Sequence, residues 1–413
     1  MTGHSDIHEL YGGTIISVVK LHRQTLDPRK RDLSPTVLDF GPVRFILARH
    51  FGFCFGVENA VKIAYETLEA HPDRRIFFLS EMIHNPKVNG DLREQGVRFI
   101  FSPHGEQLIP WEELGPEDIV VVPAFGTTLE MEQKLTECGI DPYSYNTTCP
   151  FVEKVWKRSG TLGDQDYTVV VHGKAAHEET RATFSHSVQN TPTVIILDLD
   201  EANILAGVIK GDKTQEEFHT YFGRKCSEGF DPGRDLSRIG VVNQTTMLAS
   251  ETREIARVLR EAMIDRYGAD NIDEHFADTS DTLCYATNEN QNATYALIDH
   301  GADIALVVGG YNSSNTSHIA ELCGGAVPTF FIQNSDEIIA AGRIRHYSLD
   351  TRSTIVTDNW LPSKRPLDII LTCGASCPDA TMDEILMRVL SLFDSPMAIA
   401  EVMRAFSGAE NGS

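Results

Sequence analysis

The chain has 413 residues, 41% of them apolar and 23% charged, and its formal net charge is −23. That length suits two or three domains of roughly 100–200 residues each, no apolar run approaches the ~20 residues a membrane helix needs, and the acidity argues against a nucleic-acid partner. An acidic protein that takes an anionic substrate needs a local site of neutral donors and helix ends.

Met1 to Leu10 lacks a basic region leading into an apolar core and carries Asp6 and Glu9. Neither a secretory signal nor an organelle transit peptide is expected, and the compartment expected is the cytoplasm. Residues 1–42 form a polar N-terminal extension with Pro28 and Pro35, which either wraps the core or holds an oligomer together. Val43 to Ala48 reads as a buried strand. It leads through Phe51-Gly52-Phe53-Cys54-Phe55-Gly56-Val57 into a helical face made by Val57, Val61, Ala64 and Leu68. Gly52 and Gly56 bracket Cys54 and allow unusual backbone angles beside a bulky ligand.

Arg75 to Leu79 is a second strand, followed by His84 just before a helix that starts at Pro86. His84 is either a surface or capping histidine or a donor to an anion at that helix's N-terminus. Asp118 to Pro123 is a third strand, and it turns through Phe125 into a helix from Leu129 to Cys138. Cys149 then follows a polar run and precedes Pro150, a residue tolerated in the first turn of a helix. Its thiol is therefore expected where a strand hands over to a helix, at the sheet edge where α/β proteins bind ligands.

Tyr167 to Val171 delivers His172-Gly173-Lys174-Ala175-Ala176-His177-Glu178-Glu179-Thr180. The HExxH spacing of a zinc helix is missing, so this loop is either solvated or an acid–base and anion-contacting element. Residues 201–237 read as a peripheral helical insertion. Ile239 to Val242 is a strand that ends in Asn243-Gln244-Thr245-Thr246, where the threonines suit helix caps and ligand donors alike. Cys284 precedes a helix from Ala286 to Ile298. The strand Ile304 to Val308 then opens onto Gly310-Tyr311-Asn312-Ser313-Ser314-Asn315. Small hydroxyl and amide side chains between a buried strand and a helix would cradle a phosphate without any cation. Leu367 to Leu371 ends in Ser376, a donor before a helix started by Pro378.

Eight cysteines are present, at 54, 138, 149, 226, 284, 323, 373 and 377, with no CxxC pair. Cys138, Cys226 and Cys323 read as small apolar core residues, and Cys377 as structural. Cys54, Cys149 and Cys284 each open a strand–turn–helix block. Repetition of that block predicts an α/β fold with mainly parallel sheets. The simplest geometry has three α/β modules arranged pseudo-threefold around a central iron–sulfur cluster, each contributing one thiolate. The expected boundaries are an extension 1–42, a first module 43–148, a second 149–282 with its insertion near 201–237, a third 283–395 and a tail 396–413.

The motifs FGFCFGV, EMIHNP, NTTCPFV, HGKAAHEET, NQTTM, CYAT, GGYNSSNTSH and TCGASCPD together resemble the LytB family of 4-hydroxy-3-methylbut-2-enyl diphosphate reductases, in its cyanobacterial and plant-type branch. The resemblance runs from about Phe45 to the helix after Pro378. It implies a [4Fe–4S] cluster on Cys54, Cys149 and Cys284 with one iron open to substrate. It implies a diphosphate pocket of His84, His177, Thr245, Ser313, Ser314, Asn315 and Ser376. It makes Glu179 the proton-delivering residue, oriented through Thr245, and a ferredoxin or flavodoxin the electron donor. A homodimer is left open. Phe125 stands where many members of that family carry a histidine, so one diphosphate contact is expected to be missing. Two other readings are open at this stage. One is a different three-cysteine enzyme of similar plan, quinolinate synthase-like. The other is a phosphate-binding protein with unrelated core cysteines.

Overall fold

A computed structural model of the chain describes residues 7–103, 105–277 and 282–408. Residues 1–6 of the N-terminal extension, Asp281 of the third cysteine turn and residues 409–413 of the tail lie outside them. The chain divides into two compact units. The first comprises Met1–Lys62, His84–Gly90 and Ala286–Ser413, and the second Ile63–Ile83 and Asp91–Tyr285.

The first unit is built on one eight-stranded sheet. Val43–Leu47, Leu367–Cys373, Ile304–Val308 and Thr329–Ile332 run parallel in that spatial order. They are almost wholly buried, which is why they read as continuous apolar runs rather than alternating ones. Antiparallel strands finish both sides: Thr36–Asp39 next to Val43–Leu47, and Arg343–Ser348 next to Thr329–Ile332. Arg343–Ser348 also pairs with Ile338–Ala340 and Ser353–Asp358.

The N-terminal extension belongs to this unit's core, where Ile15, Ile16 and Val19 are buried. Asp383 holds it by accepting the backbone N–H groups of Thr14, Ile15 and Ile16 at 2.5, 2.9 and 2.9 Å. Asp383→Ala would strand these donors, at about 3 kcal/mol. A clearly lowered thermal midpoint is expected, and an unchanged one would mean that the extension docks by its apolar residues alone. At the other end, the helix Ile399–Gly408 sets Val402 into the same core.

The second unit contains two parallel sheets. One has three strands, in the order Arg98–Phe99, Ile76–Phe78, Ile119–Val121. The other has four, in the order Thr193–Ile196, Thr168–His172, Ile239–Asn243, Phe276–Ala277. Mainly parallel sheets in an α/β chain are thus as expected.

Two features differ from the sequence reading. Val43–Leu47, read as the head of a first module, is a strand of the large sheet. The bidentate pair of Arg44 with Asp368, 324 residues apart, fastens it there at 2.6 and 2.7 Å. A local pattern identifies a strand but not its partner. The segment 201–237 is helical but not peripheral. Leu205, Ile209, Phe218, Phe222 and Phe230 are buried in one cluster with Val194, Val241 and Leu259. Its charged residues cover the solvent side of those helices and mask the apolar side in sequence.

Candidate active site

In the first unit the polar turns follow neighbouring parallel strands. Cys54 follows Val43–Leu47, Gly374-Ala375-Ser376 follows Leu367–Cys373, and Ser313, Ser314 and Asn315 follow Ile304–Val308. Hydrogen bonds knit them together. The Cys54 N–H donates to the Ala375 carbonyl at 3.2 Å, and the Ala375 N–H donates to Asn315 Oδ1 at 2.9 Å. The Ser376 hydroxyl donates to the His84 carbonyl at 3.2 Å, and the Asn312 side-chain amide meets His84 Nδ1 at 3.1 Å. Gly374 cannot be replaced without disturbance, because a Cβ there would lie 2.0 Å from Thr316 Oγ1.

Ser313 caps the helix Ser314–Gly324. Its oxygen accepts the Thr316 N–H and the Thr316 hydroxyl, so its own proton is left to donate. Ser314 Oγ and Asn315 Nδ2 are buried and have no hydrogen-bond partner among the described residues. A buried orphan donor costs free energy unless something satisfies it. Two of them at a helix N-terminus, with no cation, fit a bound anion. His84 is buried, and the neighbouring Asn85 caps the helix Pro86–Glu94 through Val88. The surface and capping alternatives for His84 therefore fall away.

In the second unit, Glu179 is 2% exposed. Burial pushes its pKa up to about 7, against the backbone and side-chain hydrogen bonds it receives from Thr245. The Thr245 N–H donates to Glu179 Oε1 at 2.5 Å, and the Thr245 carbonyl accepts the Cys284 N–H at 3.2 Å. Thr245 thus ties the acid to a cysteine. His177 caps the helix Glu178–Ser187, with Nδ1 accepting the Glu179 N–H at 3.2 Å, so its ring proton sits on Nε2. The Phe125 and His177 rings pack edge to face, with centroids 5.8 Å apart. Gly126 beside it has φ +74°, and a Cβ there would strike the Trp156 ring.

The sequence reading missed two residues of this region. Gln244 accepts the Lys174 N–H at 3.1 Å and the Thr180 hydroxyl at 3.0 Å, which locks the loop that carries His177 and Glu179. Its place in NQTTM beside Thr245 was the available signal. Glu178 is pushed up to about 7 by burial, against a hydrogen bond from Ser80, and its Oε2 is buried without a partner.

The three singled-out cysteines each sit at a helix start, whereas Cys138 and Cys226, read as core residues, are partly exposed and sit at no helix start. Cys149 caps the helix Pro150–Asp164, Cys54 precedes Phe55–Ala70, and Cys284 precedes Tyr285–His300; all three are partly exposed. Cys323, Cys373 and Cys377 are fully buried in the core of the first unit. Burial raises the Cys54 thiol's pKa, while the N–H groups of Val57 and Gly56 point at its sulfur and lower it. A thiolate held in that setting is stabilised by a cation, so the donor suits a metal-containing group. Gly56 serves from the first helical turn rather than through an unusual backbone angle; Gly52, at φ +80°, supplies the bend. Among the described residues, no three His, Cys, Asp or Glu side chains gather for a single metal ion. Cys54 lies in the first unit, Cys149 and Cys284 in the second.

Orphaned anion donors, a carboxyl poised near neutrality and thiols at helix starts, set along the carboxyl edges of parallel sheets, make this an α/β enzyme. The chain belongs to the LytB protein family, which matches residues 45–390. It is 41% identical over 359 residues to the 4-hydroxy-3-methylbut-2-enyl diphosphate reductase of Synechococcus sp. (strain CC9311), covering 87% of this chain and 88% of that one. Similarity to the reductase of the same name from Thermosynechococcus vestitus is 41% over 353 residues, 85% of each chain. Among solved structures, the E-1-hydroxy-2-methyl-but-2-enyl-4-diphosphate reductase from Plasmodium falciparum shares the fold at a TM-score of 0.60 and 18% identity, covering 84% of this chain and 87% of that one. A second solved structure, of a reductase described as the terminal enzyme of the non-mevalonate pathway, aligns at a TM-score of 0.50 and 23% identity, covering 84% of this chain and 99% of that one. The family implies an iron–sulfur cofactor. No helix among the described residues is long and apolar enough to cross a membrane.

Proposed function

We propose that this chain reduces 4-hydroxy-3-methylbut-2-enyl diphosphate to isopentenyl and dimethylallyl diphosphate, the last step of the methylerythritol phosphate route. The substrate takes up two electrons and two protons and loses its hydroxyl as water. The cofactor is a [4Fe–4S] cluster on Cys54, Cys149 and Cys284, which when bound supplies electrons and a Lewis-acidic iron. A cytoplasmic ferredoxin or flavodoxin is the electron source.

The observation that carries this reading is the pair of partnerless buried donors, Ser314 Oγ and Asn315 Nδ2, at the start of a helix. They fit a diphosphate that is bound without cationic side chains. Ser313, Ser376, His84 and His177 add donors, and Phe125 removes one that many relatives have. Hydrogen bonds to a charged oxygen strengthen where water is excluded. Glu179 holds a proton at Oε for the departing hydroxyl oxygen, and Thr245 orients it. A second proton then goes to the allylic fragment, and protonation at either of two carbons gives the two products.

The test is anaerobic turnover of this substrate with a chemical reductant, followed by product analysis. Ser314→Ala removes a phosphate donor but no redox group. KM is expected to rise about tenfold or more, on the scale of a hydrogen bond to a charged group, with kcat and visible absorbance near wild type. An unchanged KM counts against the pocket, and failure to turn over the substrate counts against the function.

A further inference from the structure

The anion turn of the first unit is anchored at a buried carboxylate that the proposed reaction does not use. After the strand Ile304–Val308, the Ser313 N–H donates to the Gly310 carbonyl at 2.9 Å, closing a tight turn whose two central residues are Tyr311 and Asn312. That turn sets where Ser313, Ser314 and Asn315 begin their helix, and both central side chains are held. The Asn312 amide meets His84. The Tyr311 hydroxyl donates to Glu337 Oε1 at 2.5 Å. Glu337 Oε2 accepts the Gln333 N–H at 2.7 Å, and Arg345 Nε lies 3.7 Å from Oε1. A second bond to the same neighbouring segment, from the Gly309 N–H to the Ile332 carbonyl at 3.0 Å, fixes the start of the turn. The turn also has little slack, since a Cβ on Gly310 would lie 2.5 Å from the His84 carbonyl oxygen.

Packing alone does not account for this carboxylate. The Tyr311 ring is already set edge-on to Phe331 and stacked on Tyr347, with centroids 5.2 and 4.7 Å apart. Stacked rings fix a plane but let it slide, whereas a short bond to a charged oxygen at the ring's far end fixes its reach. Glu337 is 5% exposed, at a place where an apolar side chain of its size would be at least as stable. Burial, and then the Glu337 carboxylate, push the Tyr311 phenol's pKa up, so it keeps its proton and stays the donor. A cradle of neutral donors binds a fixed anion only when those donors are placed within about 0.5 Å. Any shift of Tyr311 reaches Ser313, two residues on, through the closed turn.

We propose that Glu337 is a positioning residue for the diphosphate cradle: by gripping Tyr311 it fixes the turn Gly310–Ser313 and, through it, the donors of Ser313, Ser314 and Asn315. This role rests on the diphosphate reading of that cradle, and inorganic diphosphate, titrated calorimetrically into the anaerobic holoenzyme, tests both. Tyr311→Phe keeps the ring and its packing and removes the grip. Its Kd for inorganic diphosphate rises about tenfold, a modest share of what a misplaced binding group can lose, and KM for the substrate rises with it. A protein that is merely destabilised instead loses active sites, which lowers the titrated stoichiometry and kcat and leaves Kd alone. Tyr311→Phe also leaves Glu337 short of a donor, so its thermal midpoint falls. Adding Glu337→Met removes both partners of the bond and brings the midpoint back towards wild type, but the turn stays ungripped and the weak affinity persists. Reduced stoichiometry at an unchanged Kd, or affinity that recovers together with the midpoint, makes the pair a packing contact and overturns the proposal. So does wild-type affinity in Tyr311→Phe beside weak binding in Ser314→Ala, a result that keeps the cradle. A wild-type holoenzyme that takes up no inorganic diphosphate removes the cradle itself, and the positioning role with it.

Discussion

Cys149→Ser is expected to lose the cofactor and all activity while the chain stays folded. The fold survives for a local reason. Cys149 caps the helix Pro150–Asp164 through its backbone: its N–H donates to the Ala124 carbonyl at 3.0 Å, and its carbonyl accepts Val152 and Glu153 at 2.9 and 3.2 Å. Serine is among the preferred residues at such a position, so the replacement keeps the helix start. What it removes is the thiolate, and a hydroxyl is a poor substitute ligand for iron in a sulfur-bridged cluster. Protein purified without oxygen should therefore be colourless or nearly so, with iron and sulfide counts far below wild type and near-native circular dichroism. Cys138→Ser is the control. That thiol donates to the Trp111 carbonyl at 3.7 Å, and its loss should leave the colour intact. Equal iron content in Cys149→Ser and wild type would remove Cys149 from the ligand set.

The local geometry of the candidate site was legible because its signals are local. Cys149 before Pro150 announces a helix start, and so does Ser313-Ser314-Asn315 after an apolar run. Each needs only the residues next to it. What stayed hidden depends on partners far along the chain. The pairing of Val43–Leu47 with Leu367–Cys373 is written in Arg44 and Asp368, which look like ordinary surface charges until they meet. The strand Thr193–Ile196 is too short to stand out beside a charged segment, although all four of its residues are buried. Gln244 has no signature of its own, because its worth lies in accepting from Lys174 and Thr180 across a turn. The strand Ser353–Asp358 has no buried face, so the periodicity that betrays most strands is missing from it.

Glu179→Gln is expected to keep the cofactor and lose about a hundredfold or more in turnover, the scale of removing a positioned acid. Glutamine keeps the shape and can still accept the Thr245 N–H, so the loop locked by Gln244 should hold. It has no acidic proton to give. The pH profile is the sharper measure. Glu179 is raised from 4.5 to about 7 by burial, so below about pH 7 it is protonated and able to donate. Wild-type turnover should fall as pH rises through that value, and the variant should lack this limb. Glu178, raised to about 7 as well, stays in both proteins, and any limb that survives in the variant is assigned to it. The same shift fixes the sign of the stability effect. The folded state holds this proton more tightly than the unfolded chain, so the group's contribution is full below about pH 4.5 and is lost as pH climbs to 7. Glutamine cannot ionise, so the variant should lose less stability than wild type over that interval. Wild-type turnover with an unaltered pH profile in Glu179→Gln would clear Glu179 of the role and move the search for the acid to its neighbour.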